Sequence, residues 1–338
     1  MDVSRESVST EDNIVLDITA LYIPTHFGAI DYVIVAVSLL GIVGNFVSVV
    51  VWNTHTTFNA IIFLFKYLAM WDTVLLLSTF FSRVLTYFRR SVLVSTYSVL
   101  IFILYTMTML GQTMSVNSTL MIAVCRFLVV SRPLQVYNGT LLTRHQIILA
   151  CVVLFIWGLL ISIPYLVITL LTYYGKLQAS HFTPLAIYFL GLIFPIILMV
   201  VFNILLLKKL RSSSLMTSST TSAQHPELWG RSQRVTLVVV LMSLFSVLAY
   251  LLGGTIVACV FMYIHFSEPQ GKPTGCRLLD ILVSVYELFQ VINSSINIIF
   301  YYAFFHNFCK VFPTVGIKNQ VPESSTPTRT TMNKTLIR

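Results

Sequence analysis

Asp72 and Glu287 are carboxylates set inside long apolar stretches, where an unpaired charge is expensive and persists mainly where function or a partner uses it. If those stretches are helices rising about 1.5 Å per residue, Asn45, Asp72, Ser115 and Asn297 fall at one depth, roughly 9 to 17 Å from a common boundary. Four polar groups brought together from four helices make a buried hydrated pocket with Asp72 as its anion. A small cation, Na⁺ or H⁺, is the natural guest. Two polar stripes run at helical spacing, Thr108, Gln112, Ser115 and Thr119 in one stretch and Glu287, Gln290, Asn293 and Asn297 in another, so each set shares a face directed into a bundle. Ser, Thr and Asn in such stripes also serve as interhelical glue, worth about 0.6 kcal/mol per hydrogen bond. Glu287 requires either a water-filled cavity open to a ligand or a structural partner such as a cation. Arg126 ends its own stretch, and an arginine at a membrane boundary snorkels in any membrane protein.

The elements that position these groups follow from composition. Of 338 residues, 57% are hydrophobic and only 10% charged, and the mean hydropathy is +0.85. So apolar a chain has lipid as its main solvent. A spanning helix needs about 20 mostly apolar residues, and seven segments qualify, near 30 to 52, 61 to 82, 94 to 125, 146 to 170, 184 to 207, 234 to 264 and 278 to 303. The fold class is therefore an all-α membrane protein, a seven-transmembrane helix bundle with a short amphipathic helix after the seventh span. We divide it into an extracellular N-terminal segment (1–29), the bundle (30–303), an aromatic and basic juxtamembrane helix (304–312) and a disordered cytoplasmic tail (313–338).

Charge sets the expected orientation. Fourteen of the 21 Lys and Arg residues fall on the side that receives Arg126, Lys208 and Lys209, against seven, Arg83, Arg89 and Arg90 among them, on the other. The bias puts the N-terminus outside and the C-terminus inside a plasma membrane, and it explains the net charge of +9 without nucleic acid as a partner. The first 29 residues lack the basic start and apolar core of a signal peptide, so the first span is expected to direct insertion without cleavage. Cys125, Cys151, Cys259, Cys276 and Cys309 read mostly as small buried hydrophobes, with Cys259 and Cys276 the one pair able to meet near the outer surface. The Ser/Thr-rich stretch from Arg211 to Gln233 reads as a solvated linker open to kinases, as does the tail. The sequons at Asn117 and Asn293 lie in spans and those at Asn138 and Asn333 face inward, so none should carry sugar. No nucleophile motif or His/Glu metal cluster is visible, and the seven histidines scatter through loops and span ends, so an enzyme is not expected.

Taken in order, Gly44-Asn45, Leu68 to Asp72, Arg126-Phe127, Trp157, Pro195 and Asn297 to Tyr301 followed by Phe308 resemble the landmarks of rhodopsin-like (class A) G-protein-coupled receptors over residues 30 to 312. Asn293 to Asn297 further resembles peptide receptors, notably invertebrate FMRFamide-type neuropeptide receptors. The resemblance implies an agonist from outside, an outward swing of the sixth helix and nucleotide exchange on a heterotrimeric G protein. It implies that Arg126 and Tyr301 act as coupling switches, that Asp72, Ser115 and Asn297 hold Na⁺ as an allosteric ion with no other cofactor, and that Pro195 kinks its helix. The chain departs from the pattern at Cys125, where an acid usually precedes the arginine, so basal activity should be raised. It departs again at Ala249 and Leu251 in the sixth helix, at Ile298 where proline is usual, and at Asn203.

Thr108 stands where amine receptors carry an aspartate, and the outer half of the seventh span has no lysine for a retinal Schiff base, so monoamine and opsin functions are not expected. The expected ligand is an extracellular peptide with a basic group able to meet Glu287, with Gln290, Gln112 and Thr108 completing the site; a lipid or other small molecule is the alternative. Expected partners are that ligand, a heterotrimeric G protein, arrestin, receptor kinases and the bilayer. Two other functions compete: a ligand-sequestering receptor that does not signal, suggested by Cys125 and Ala249, and a proton- or sodium-coupled carrier using Asp72 and Glu287. The carrier lacks the internal repeats and paired broken spans of most such folds.

Overall fold

The computed structural model describes residues 28–54, 59–88, 94–174, 186–187, 189–217, 226–267 and 276–304. Within them lie seven helices long and apolar enough to cross a membrane, and no strand. That is the expected seven-helix membrane bundle, and it is the form in which apolar chain satisfies every backbone N–H and C=O inside lipid.

The first span, Ala29–Asn53, begins after an extended Gly28, whose N–H donates to Asp31 Oδ2 at 2.6 Å. The second, Ala60–Tyr87, is capped by Asn59, whose side chain accepts from the backbone of Ile61 and Ile62. The third, Val94–Ser131, ends where Arg132-Pro133 turns the chain into a short helix, Pro133–Tyr137. Gly139 follows in the left-handed region (φ 67°) that glycine tolerates best. Thr143 and Gln146 cap one another reciprocally before the fourth span, Arg144–Tyr173.

The fifth span opens with a π-helical turn, Phe189–Ile193, and continues as Phe194–Thr217. Proline has no N–H to bond the carbonyl four residues back, which for Pro195 is that of Gly191, and the wide turn lies where that bond is missing. The sixth helix is Pro226–Ser267. These two helices overturn part of the linker expectation, because residues 211–217 and 226–233 are helical rather than irregular. The i→i−4 ladder extends past the apolar segment without needing a membrane around it. The seventh span is split by a turn at Ile296 into Cys276–Ser295 and Asn297–Phe304. The expected juxtamembrane helix, the tail and Cys309 fall outside the described residues, as do the side chains of Cys259 and Cys276.

Packing makes a ring with the third span at its centre, touching the second, fourth, fifth and sixth, while the seventh closes against the first, second and sixth. One apolar cluster at the Arg126 end joins Trp52, Phe65, Ile122, Cys125, Val238 and Tyr301. Cys125 and Cys151 are free thiols buried within it, as small hydrophobes would be. At the opposite end Tyr97, Ile101 and Phe102 pack with Leu85 and Leu166. At Gly111 the second and third spans approach through backbone: an added Cβ would meet the Leu75 backbone nitrogen at 2.8 Å. Outward faces carry Leu40, Phe46, Leu160 and Ile299, which suits lipid.

Candidate functional site

The polar side chains run down the bundle axis in three groups. The middle group centres on Asp72, which is fully buried. Ser115 of the third span donates its hydroxyl to Oδ1 at 2.6 Å, and Asn297 of the seventh donates its amide to Oδ2 at 2.7 Å. Ser294 also lies against the carboxylate. Asn45 joins one step away, donating its amide to the Ser294 carbonyl at 3.2 Å. The four residues expected at one depth are thus brought together, three in direct contact and Asn45 through the seventh helix. Asn45 reaches the backbone just before the turn at Ile296, where a helix end leaves carbonyls in want of donors.

At the end marked by Arg126, the guanidinium is buried rather than snorkelling, and its Nε donates to Thr236 Oγ1 of the sixth helix at 2.8 Å. Its neighbour Cys125, where an acid is usual, faces apolar side chains instead. Two further hydroxyls continue the stripe. Ser243 donates to Asn203 of the fifth span at 2.9 Å, and Ser246 donates to Asn293 of the seventh at 2.9 Å. One face of the sixth helix therefore bonds to three different helices, each through a single uncharged hydroxyl. Tyr301 is fully buried, with its ring 5.4 Å from Trp52 and 5.0 Å from Phe65.

The third group corrects an expectation. Arg83, counted among the residues of the outer loop, lies within the second span and is 1% exposed. Its Nε donates to Glu287 Oε2 at 3.0 Å, its Nη2 contacts the same oxygen, and its Nη1 lies 2.6 Å from Asp31 Oδ1 without hydrogen-bond alignment. Arg83 is thus the cationic partner that Glu287 requires, and it joins the first, second and seventh spans. Removing Arg83 from such a buried group costs about 3 to 5 kcal/mol or more, because both carboxylates are left uncompensated. The remaining residues of this end meet different partners: Thr108 donates to Ser78 at 2.9 Å and Gln112 to the Tyr286 hydroxyl at 2.8 Å. Gln290 is buried with its Nε2 unpartnered.

Sequence reasoning missed Asp31, Arg83, Ser294 and the hydroxyl stripe. Two signals were available. Arg83 follows Asp72 by eleven residues, three helical turns, so both share a face. Thr236, Ser243 and Ser246 keep steps of seven and three.

Residues 171–315 match the family model for Serpentine type 7TM GPCR chemoreceptor Srw, a stretch that holds the fifth, sixth and seventh spans. No curated protein matches the chain. The seven spanning helices indicate a multi-pass membrane protein, similar over residues 171–315 to a chemoreceptor family of the G-protein-coupled type.

Proposed function

We propose that this chain is a plasma-membrane receptor, N-terminus outside, that binds an extracellular ligand and activates a heterotrimeric G protein, and that the ligand is a neuropeptide. The observation that carries this reading is the buried Arg126–Thr236 bond, which ties the third span to the sixth at the end proposed to face the cytoplasm. A ligand that binds the untied arrangement better than the tied one drives the transition by its differential affinity. Tyr301, packed between Trp52 and Phe65 at the same end, is positioned to move with it. Arrestin and receptor kinases fit the Ser/Thr-rich inner segments as later partners.

The middle group suits Na⁺ as an allosteric ion. Asp72 and Ser115 offer hard oxygen donors, Ser294 lies against the carboxylate, and Asn45 Oδ1 is buried without a hydrogen-bond partner, a further oxygen of the kind such an ion takes. With a single anion, the set matches a monovalent cation. Bound Na⁺ would supply a counter-charge to Asp72 and hold the second, third and seventh spans together.

The test is G-protein activation in cells expressing the chain, basal and against a panel of amidated neuropeptides, with Arg126→Ala as control. Signal that Arg126→Ala abolishes supports the reading. Silence with confirmed surface expression points instead to the ligand-sequestering receptor.

A further inference from the structure

Two carboxylates share one guanidinium at the Arg83 end. Asp31, Arg83 and Glu287 are 3, 1 and 7% exposed, and when all are ionised the group holds one negative charge in excess. An uncompensated buried charge is costly unless a counter-charge joins it. The ionisable side chains bearing on Arg83 are Glu287, Tyr105 and Asp31, none of which is a cation. One turn further along the same face of the seventh span, Gln290 is 2% exposed and its Nε2 has no partner. Among the described residues the group thus lacks a second positive charge to balance its two carboxylates and, one turn deeper, an acceptor for the Gln290 amide.

We propose that Glu287 and Gln290, with Arg83 and Asp31 behind them, receive the cationic end of an organic ligand, an amine or guanidinium carrying a nearby carbonyl, by exchange of counter-ions. The ligand cation takes Glu287 while Arg83 keeps Asp31. The charges balance: a group of net charge −1 and a ligand of +1 become two neutral pairs. Gln290 Nε2 donates to the ligand carbonyl. Asp31 does not touch the ligand; it is a positioning residue that sets the preference for positive charge by giving Arg83 a second partner. This rests on the receptor reading for its biological meaning, but the binding itself requires no G protein.

The test uses the full-length chain in detergent with two probes of nearly equal shape, Nα-acetyl-argininamide and its uncharged counterpart Nα-acetyl-citrullinamide, read by equilibrium binding. The wild type is expected to bind the charged probe about tenfold tighter or more, the ratio that one charge-assisted hydrogen bond supplies. Asp31→Asn leaves Arg83 and Glu287 as a neutral pair and should remove that preference, so that the two probes bind alike. Glu287→Gln should remove it as well, which keeps the test open if one variant fails to fold. Gln290→Leu should weaken both probes alike. Equal binding of the two probes by the wild type, no binding of either up to about 10 mM, or a preference that survives Asp31→Asn in a folded variant overturns the proposal. If the charge preference is found but G-protein activation fails, the binding site stands and the signalling reading falls.

Discussion

Replacing Thr236 by valine keeps the shape of the side chain and removes the hydroxyl that accepts from Arg126 Nε at 2.8 Å. Hydrogen bonds to charged groups contribute about 1.5 to 3 kcal/mol. The bond cannot survive if the sixth helix swings away from the third, so its loss raises the energy of the tied state and leaves the untied state unchanged. With about 1.4 kcal/mol per factor of ten, the equilibrium shifts by about 10- to 150-fold toward the untied state. A population of about 1% in the untied state would then rise to between about 10 and 60%. The assay is ligand-free nucleotide exchange on G protein by membranes matched for surface receptor, comparing wild type, Thr236→Val and Thr236→Ser. Serine restores the acceptor and should return basal exchange to near wild type. Equal basal exchange in wild type and valine variant, with the wild type still responsive to agonist, would refute the claim that this bond restrains the sixth helix. A rise in the serine variant as large as in the valine variant would show that packing, not the hydroxyl, is responsible.

Three other expectations are independent of that bond. Exchanging Na⁺ for choline at constant ionic strength should lower the melting temperature of the wild type in detergent, and Asp72→Asn should abolish the difference by removing the anion of the middle group. Gly111→Ala should destabilise the fold by about 1 to 3 kcal/mol, since the new methyl would press on the Leu75 backbone, which gives less readily than a side-chain tip; thermal melting against Gly158→Ala, which meets a flexible methionine end, measures the contrast. Asn138, at the end of the short helix after the third span, should carry no sugar, so its mobility on a gel should be unaffected by a glycosidase; a shift would reverse the membrane orientation.

The spans were legible because lipid imposes a length and a composition, and windows of sequence report both. The grouping of Asp72, Ser115 and Asn297 was legible too, because helical rise converts sequence position into depth. Arg83 was not. The apolar window of its helix ends near Ser82, and a charge just past that edge looks solvated, whereas the helix runs on to Tyr87 and two distant acids make burial possible. Which residue compensates a charge is a matter of tertiary contact over 204 positions of sequence, beyond any local pattern. Arg126 shows the same limit: its position suggested a boundary charge, and only the packing of the sixth helix reveals that it is buried against Thr236. The extensions of the fifth and sixth helices escaped notice because hydropathy marks where membrane ends, and backbone hydrogen bonding does not stop there.

The turn at Ile296 has a different character from a bend made by proline. A proline ring deletes a donor for good, so its bend is a fixed property of the chain. Ile298 keeps its N–H, and the neighbouring carbonyl of Ser294 is held by an amide from another helix, Asn45. The interruption at Ile296 therefore removes no donor from the chain, and it lies beside a carbonyl that the first span contacts. A break of this kind is written in contacts between helices and not in a missing backbone group, so it belongs to the assembly as much as to the sequence of the seventh span.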